Sequence, residues 1–356
     1  MKKLTITFLV FSLCFILFGA GDSVKAAGQR ELILNLIISP VHNRWNLVIK
    51  PWCDELERRT GGKVKVTPYF SQSISSLTEN YESVINGLAD MAEGPLNVKV
   101  GQFPLLEGVF NMNRPSRYIT DGTALFRELL ASMPELQEEL NAVKVLAVSA
   151  NCGSIIGTHD KILKSTDDFK GIKIGVSGSG MVMDKAKAMG FAVASLPPND
   201  VYMGVERGVI DGITCDYEVL VSRRWGEVVK RCHAFSVLIT PFYFVMSRDA
   251  YNSLPKDVQE IIDELSGDYS YELFSEFWVN TQMDSWKRWE KEFGGQTHYY
   301  SQEELEKIDA LSQPIIDAWV QSMEEKGYPA KKLLNTFREL ENKYSIPWSK
   351  GAEILQ

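Results

Sequence analysis

Histidine is scarce in this 356-residue chain, and His42, His159, His233 and His298 lie far apart. No HExxH pair and no EF-hand loop occurs, so neither a zinc hydrolase nor a calcium loop is written into a local motif. Cysteine is nearly as rare: after Cys14 only Cys53, Cys152, Cys215 and Cys232 remain, widely spaced and without CxxC or a Cys/His cluster. Their pairing is not readable, and free buried thiols and a disulfide both remain open. Positive charge is also short, with 38 Lys and Arg against 46 Asp and Glu. Nucleic acid is therefore a poor partner. Beyond residue 20 no run approaches the roughly 18 apolar residues that a membrane span needs.

The first 26 residues differ from the rest. Lys2 and Lys3 precede an apolar run from Leu9 to Ala20, and Val24-Lys25-Ala26 offers small residues around a cleavage point. That is the pattern of a secretory signal peptide cleaved after Ala26. Leu13 before Cys14 is too bulky for a lipobox. Removing Lys2, Lys3, Lys25 and Asp22 takes the formal net charge from −8 to −10, and the expected product is an exported, soluble protein.

Strand and helix patterns then alternate. Leu32 to Ile38 reads as a strand, Asn43 to Arg59 as a helix stopped by Thr60-Gly61-Gly62, and Lys63 to Tyr69 as a second strand. Ser76-Leu77-Thr78-Glu79 has capping-box spacing ahead of a helical face formed by Leu77, Tyr81, Val84, Ile85 and Leu88. Such an order predicts an α/β fold with a parallel sheet. A helix running into Gly87-Leu88-Ala89-Asp90 is matched by one running into Gly208-Val209-Ile210-Asp211, which predicts two α/β domains of similar design. The ends of these strands face a ligand crevice in open α/β sheets, making Glu93 and Cys215-Asp216-Tyr217-Glu218 candidates by position. His42, Asn43 and Trp45, after the first strand, are candidates on the same ground. Pro255 to Glu292 reads as one long helix, bent at Gly267, and Pro314 should kink or divide the helix from Ser301 to Lys326.

The stretch GIKIGVSGSGMVMDKAKAMG, residues 171–190, has the strand, glycine turn and helix of a phosphate loop. It fails as one, because Met183 stands where GxGxxG needs its third glycine, and GxxxxGK[ST] and GxSxG are absent. With no nucleophile and base in any recognisable arrangement, the expectation is a binding protein without catalytic residues, metal or cofactor.

An ordered set of short segments carries a resemblance. Thr60-Gly61-Gly62-Lys63-Val64, Asn86-Gly87-Leu88-Ala89-Asp90, Lys170-Gly171-Ile172-Lys173-Ile174, Leu196-Pro197-Pro198, Asp200-Val201-Tyr202, Arg207-Gly208-Val209-Ile210-Asp211-Gly212, Glu227-Val228-Val229-Lys230 and Ser253-Leu254-Pro255 stand in one order. In these the chain is similar to the solute-binding proteins of TRAP transporters, the DctP-type family. The resemblance implies a monomeric periplasmic protein of two α/β domains around a central cleft, joined by hinge crossings and braced by a long helix. Its partners would be a small solute and the membrane permease subunits. The implied limits are residues 27–148 with 236–272 for the first domain and 149–235 with 273–345 for the second. A solute sensor without transport is the alternative role.

The resemblance also frames the ligand. Relatives usually carry a carboxylate-binding arginine after GIKI, where this chain has Gly175, and the segment around Asn151 lacks the second arginine often found there. Glu93, Asp216, Tyr217 and Glu218 keep or add acidic and aromatic character. The expected solute is therefore an amine or zwitterion such as an alkanolamine, held by carboxylates with Trp45, Tyr217 or Tyr243 against it. An organic acid, gripped instead by Arg44, Arg114, Arg223 or Arg224, is the competing expectation.

Overall fold

A computed structural model describes residues 29–176 and 180–350. The leader and Ser177-Gly178-Ser179 lie outside the described residues. Among the described residues thirteen strands occur: β1 (Arg30–Leu36), β2 (Val64–Tyr69), β3 (Met91–Pro95), β4 (Arg117–Ile119), β5 (Val143–Ala150), β6 (Ser154–Thr158), β7 (Lys173–Val176), β8 (Ala192–Ser195), β9 (Gly212–Cys215), β10 (Arg231–Leu238), β11 (Pro241–Ser247), β12 (Gln296–His298) and β13 (Ser345–Pro347). They form one sheet of order β2-β1-β3-β11-β5, a second of order β12-β10-β6-β9-β7-β8, and a small pair of β13 with β4.

The two large sheets share a plan. In each, three strands run parallel (β2-β1-β3 and β8-β7-β9) and an antiparallel fourth follows, β11 or β6. That fourth strand is delivered by a chain crossing from the other sheet: residues 151–153 lead from β5 to β6, and 239–240 lead from β10 to β11. The crossings lie a few residues beyond the limits expected from the sequence.

The repeated Gly-x-x-Asp segments explain themselves here. Asp90 accepts from the Ile33 amide at 2.7 Å through Oδ2, and its own amide donates to the Ile33 carbonyl at 2.9 Å. Asp211 does the same with Lys173, at 2.8 and 2.7 Å. Each aspartate clips the start of its strand to the neighbouring one, with Gly87 and Gly208 at φ +70° and +67° ending the preceding helix. These acids therefore hold strands and do not face the crevice.

Gly267 does break the long helix. Lys256–Glu264 is followed by a wide turn in which Gly267 has φ −87° and ψ −126°, then by Ser270–Phe293. This 24-residue helix, about 36 Å long at 1.5 Å per residue, braces both sheets. Trp278 stacks on Phe242 of β11 at one end, while Trp289 Nε1 donates to the Val229 carbonyl at 2.9 Å at the other.

Three expectations need correction. Of the kink or division expected at Pro314, the division does not occur, since the helix Gln302–Glu325 is continuous through it. Ser76 does not form a capping box; its Oγ lies 3.3 Å from Thr78 Oγ1. Nor does segment 273–345 belong wholly with the second sheet. Helix Gln302–Glu325 buries Leu305 and Ile308 in the larger core but Ile316, Val320 and Met323 in the other, and Ala330–Tyr344 packs Leu333, Phe337 and Leu340 there with Phe110, Phe126 and Leu129. An apolar face continuous along a helix does not say which of two cores it meets. All four described cysteines are buried and unpaired.

Candidate solute-binding cleft

The C-terminal ends of β1, β3 and β9 converge where the two sheets face one another. From β1 the chain turns through His42, whose Nδ1 accepts from the Arg44 amide at 3.1 Å. The following helix opens as a π turn, Trp45–Ile49, just before Pro51, whose missing N–H leaves no donor for a regular α turn. Arg44 is thereby aimed inward and is only 5% exposed.

Its Nε lies 2.8 Å from Glu93 Oε1 on β3, off the line a hydrogen bond requires, and the Glu93 side chain is fully buried. The guanidinium also sits over the Phe242 ring, 4.5 Å from its centroid, and 5.8 Å from that of Trp278. Phe242 and Trp278 stack on each other at 5.0 Å and 26°. Burial holds the Glu93 carboxyl above its ordinary pKa, and the Arg44 charge only partly offsets this.

Strand alternation decides which neighbours share this face. Glu93 is opposite Phe244, and Ser149 is opposite Phe242, so all four lie on the Arg44 side. Tyr243 points the other way. Its hydroxyl accepts from Asn80 Nδ2 at 3.0 Å and its ring packs edge-on to Tyr81, so it belongs to the first sheet's opposite core and not to the cleft.

The second wall is the helix Tyr217–Ser222, capped by Asp216, which accepts from the Val219 amide at 3.1 Å. The other Asp216 oxygen accepts from Asn151 Nδ2 at 3.1 Å. With both oxygens occupied, Asp216 is a structural acid, although its charge still acts on the cleft. Tyr217 is not a cleft residue: its ring stacks on Trp286 at 4.4 Å and 6°, its hydroxyl meets Thr297 at 2.8 Å, and it is fully buried.

Glu218 differs from both. It is 4% exposed, and its Oε1 has no hydrogen-bond partner among the described residues. Burial and then the Asp216 charge push its carboxyl up to about 7, with a hydrogen bond from Ser222 and the charges of Arg44 and Arg223 acting in the opposite sense. His42 is pushed down to about 3 by burial and by the same two arginines, so it is neutral at physiological pH.

Of the arginines expected to supply a cation, Arg44 and Arg223 therefore act in this cluster. Arg114 is engaged by Glu341 at 2.7 Å, and Arg224 pairs with Glu227. Trp45, 9% exposed, packs edge-on against Phe70 as part of the core.

At Gly175 a Cβ would meet Ile210 Cδ1 at 3.1 Å and Ile213 Cγ2 at 3.4 Å, so a side chain there would start among apolar neighbours that have to give way slightly. Phe242 and Ser149, which share the Arg44 face, and Trp278 of the long helix carry no signal in the sequence that sets them apart, since β11 is buried along its whole length and its pattern gives no facing.

Asn151 ties the crossings together. Its amide donates to the Thr240 carbonyl at 3.1 Å, and its Oδ1 accepts from Thr240 N at 2.9 Å and Gly153 N at 3.3 Å. Replacing it by alanine strips the side-chain bonds from both crossings and from Asp216. The expected loss is about 2–3 kcal/mol of unfolding free energy in urea denaturation. An unchanged midpoint would show that the knot is not structural.

The sequence profile of bacterial extracellular solute-binding protein family 7 (DctP) matches residues 38–323. The chain belongs to this family. DctP proteins are the solute-binding proteins of TRAP transporters; they are periplasmic and work with membrane permease subunits, and they are not enzymes. A solute-binding protein of Verminephrobacter eiseniae is 24% identical over 244 residues, 67% of this chain and 71% of its own. The outer membrane transporter protein TsaT of Comamonas testosteroni is 23% identical over 90% of this chain and 95% of its own.

Among solved structures, a marine metagenome TRAP solute-binding protein specific for aromatic acid ligands, in complex with 3-hydroxybenzoate, superposes with a TM-score of 0.81 at 22% identity. That match covers 89% of this chain and 99% of the other. A Bordetella bronchiseptica TRAP protein with bound mandelate gives 0.76 at 23% identity, covering 88% and 99%. These likenesses establish the two-domain TRAP fold. No helix among the described residues is long and apolar enough to cross a membrane.

Proposed function

We propose that this DctP protein is exported by a cleavable leader, works as a monomer, and delivers a small solute carrying a protonated amino group, most simply a zwitterion, to its permease. The observation that carries this is the mixed cluster in the cleft. Glu218 Oε1 and Glu93 Oε2 are buried and unpartnered among the described residues, beside the cations Arg44 and Arg223. An ammonium supplies donors to carboxylate oxygens that otherwise bear their desolvation unrelieved, and a solute carboxylate has arginines within the same cluster. Hinge closure follows when contacts to both walls form only in the closed state.

A second reading is favoured by a different feature. The stacked Phe242 and Trp278 beside Arg44 offer an aromatic wall next to a guanidinium, and two of the similar structures hold aromatic acids. Titration calorimetry with ethanolamine, 4-aminobutyrate, benzoate and 3-hydroxybenzoate separates the two. The amino compounds are expected to bind, 4-aminobutyrate more tightly. Tight binding of benzoate with no heat from either amino compound would overturn the amine reading in favour of the second.

A further inference from the structure

We propose that Glu218 is the residue that selects a cationic group in this cleft, and that it does so by giving up a proton when the solute's ammonium arrives. This rests on the amine reading above and specifies how that site is regulated.

The geometry is that of a buried carboxyl with one oxygen left without a hydrogen-bond partner among the described residues, on which Arg44 and Arg223 act through their charge. Glu218 sits in the first turn of the helix Tyr217–Ser222, nine-tenths or more buried, with Oε1 unpartnered among the described residues. The neighbouring acid on the same helix, Asp216, is already committed to the Val219 amide and Asn151. Across the cleft, Arg44 is committed to Glu93.

Several neighbours of Glu218 among the described residues set its proton affinity. Asp216 raises it, while the Ser222 hydroxyl on its own helix, then Arg44 from the first wall and Arg223 from the end of the helix, lower it. Glu93 is paired, His42 stays neutral, and Tyr118, whose hydroxyl is held well above its ordinary pKa by burial, stays protonated. Burial outweighs the cations, leaving Glu218 near half-protonated at neutral pH.

The step balances simply. The Glu218 O–H bond breaks, its proton leaves to solvent, and the freed carboxylate accepts a hydrogen bond from the incoming ammonium. No electron transfer or co-reactant is involved. A solute lacking a positive charge gains nothing from the deprotonation, so it finds a neutral carboxylic acid instead of an anion. The same residue thus serves as a filter for charge and as a source of pH dependence.

The sign follows from linkage. Below about 7 the proton must be expelled before the cation binds, so affinity weakens as pH falls; above it the carboxylate is already free and affinity levels off. With a pKa near 7, binding at pH 6 is expected to be about tenfold weaker than at pH 8, with about half a proton released per solute at pH 7.

The test is calorimetry of the unmodified chain with ethanolamine and with 4-aminobutyrate, each in phosphate and in MOPS, over pH 6 to 8. Protons released to buffers of different ionisation enthalpy appear as a difference in observed heat. The expected result is that difference together with the tenfold change in affinity. Binding of either probe with identical heats in both buffers and a flat pH profile would overturn the proposal while leaving the amine reading standing. Failure of both probes to bind at any pH would remove the amine reading, and the proposal with it. Glu218→Gln should weaken both probes by about thirtyfold at pH 8 and abolish the buffer difference. A folded Glu218→Gln protein that binds as well as the unmodified chain and keeps the pH profile would assign the proton to another group.

Discussion

Arg44→Ala is expected to lower unfolding stability by about 3–5 kcal/mol at neutral pH, because it leaves a fully buried Glu93 carboxylate without the cation it faces. The loss is larger than for a surface ion pair, since Glu93 cannot reach water to recover its hydration. Its pH dependence has a definite sign. Burial raises the folded-state pKa of Glu93 even with Arg44 present, so the stability linked to its proton is present at low pH and lost as pH rises through that raised value. Without Arg44 the raised value climbs further. The deficit of Arg44→Ala should therefore be greatest near pH 8 and shrink toward pH 5, where Glu93 takes up a proton. Glu93→Gln in the same background should restore much of the loss by removing the stranded charge. Urea denaturation of the two single variants and the double variant at both pH values measures the cycle. Equal deficits at pH 5 and pH 8, with no recovery in the double variant, would mean that Arg44 acts through packing on Phe242 and Trp278 alone.

What the sequence disclosed about this molecule divides along physical lines. The repeated Gly-x-x-Asp segments signalled two similar halves because they depend on local rules: a left-handed glycine ends a helix, and an aspartate three residues later clips the next strand. Glu93 and Glu218 stand as proposed site residues because crevice position follows from strand order. The errors share a different origin. Tyr217 and Tyr243 looked like ligand contacts by type, but one residue of strand register turns Tyr243 to the opposite face from Glu93, and Tyr217 is drawn into a stack with Trp286 from sixty-nine residues away. Gly175 draws its meaning from what relatives hold there, and its neighbours Ile210 and Ile213 are not placed by the strand alone. Pairing of Arg44 with Glu93 joins a loop to a strand 49 residues on, and nothing periodic links them.

Lys185→Ala is expected to cost about 3–5 kcal/mol, although this lysine carries no part of the solute site. It stands in the helix Met181–Ala188 and is fully buried. Its Nζ donates to Asn111 O at 2.8 Å, Val237 O at 2.9 Å, Asn113 Oδ1 at 3.1 Å and Asn113 O at 3.2 Å. These acceptors belong to the segment before β4 and to the end of β10, next to the second crossing. Truncation leaves four oxygens facing an apolar void, and each unsatisfied buried acceptor costs about 1–3 kcal/mol before relaxation. Burial lowers the lysine's pKa to about 7. Because that folded value lies below the unfolded one, the folded chain holds fewer protons between about 7 and 10, and stability from this group rises with pH across that window. Lys185→Ala should lose this slope, so its deficit against the unmodified protein is larger at pH 9 than at pH 6. Lys185→Met, which fills the space without a donor, separates the void from the lost hydrogen bonds. A methionine variant as stable as the unmodified chain at both pH values would show that the four oxygens do not need the ammonium. If the hydrogen bonds do matter, solute affinity should fall in the same variant, because the helix behind the cleft would no longer be pinned to the crossing about which the lobes close.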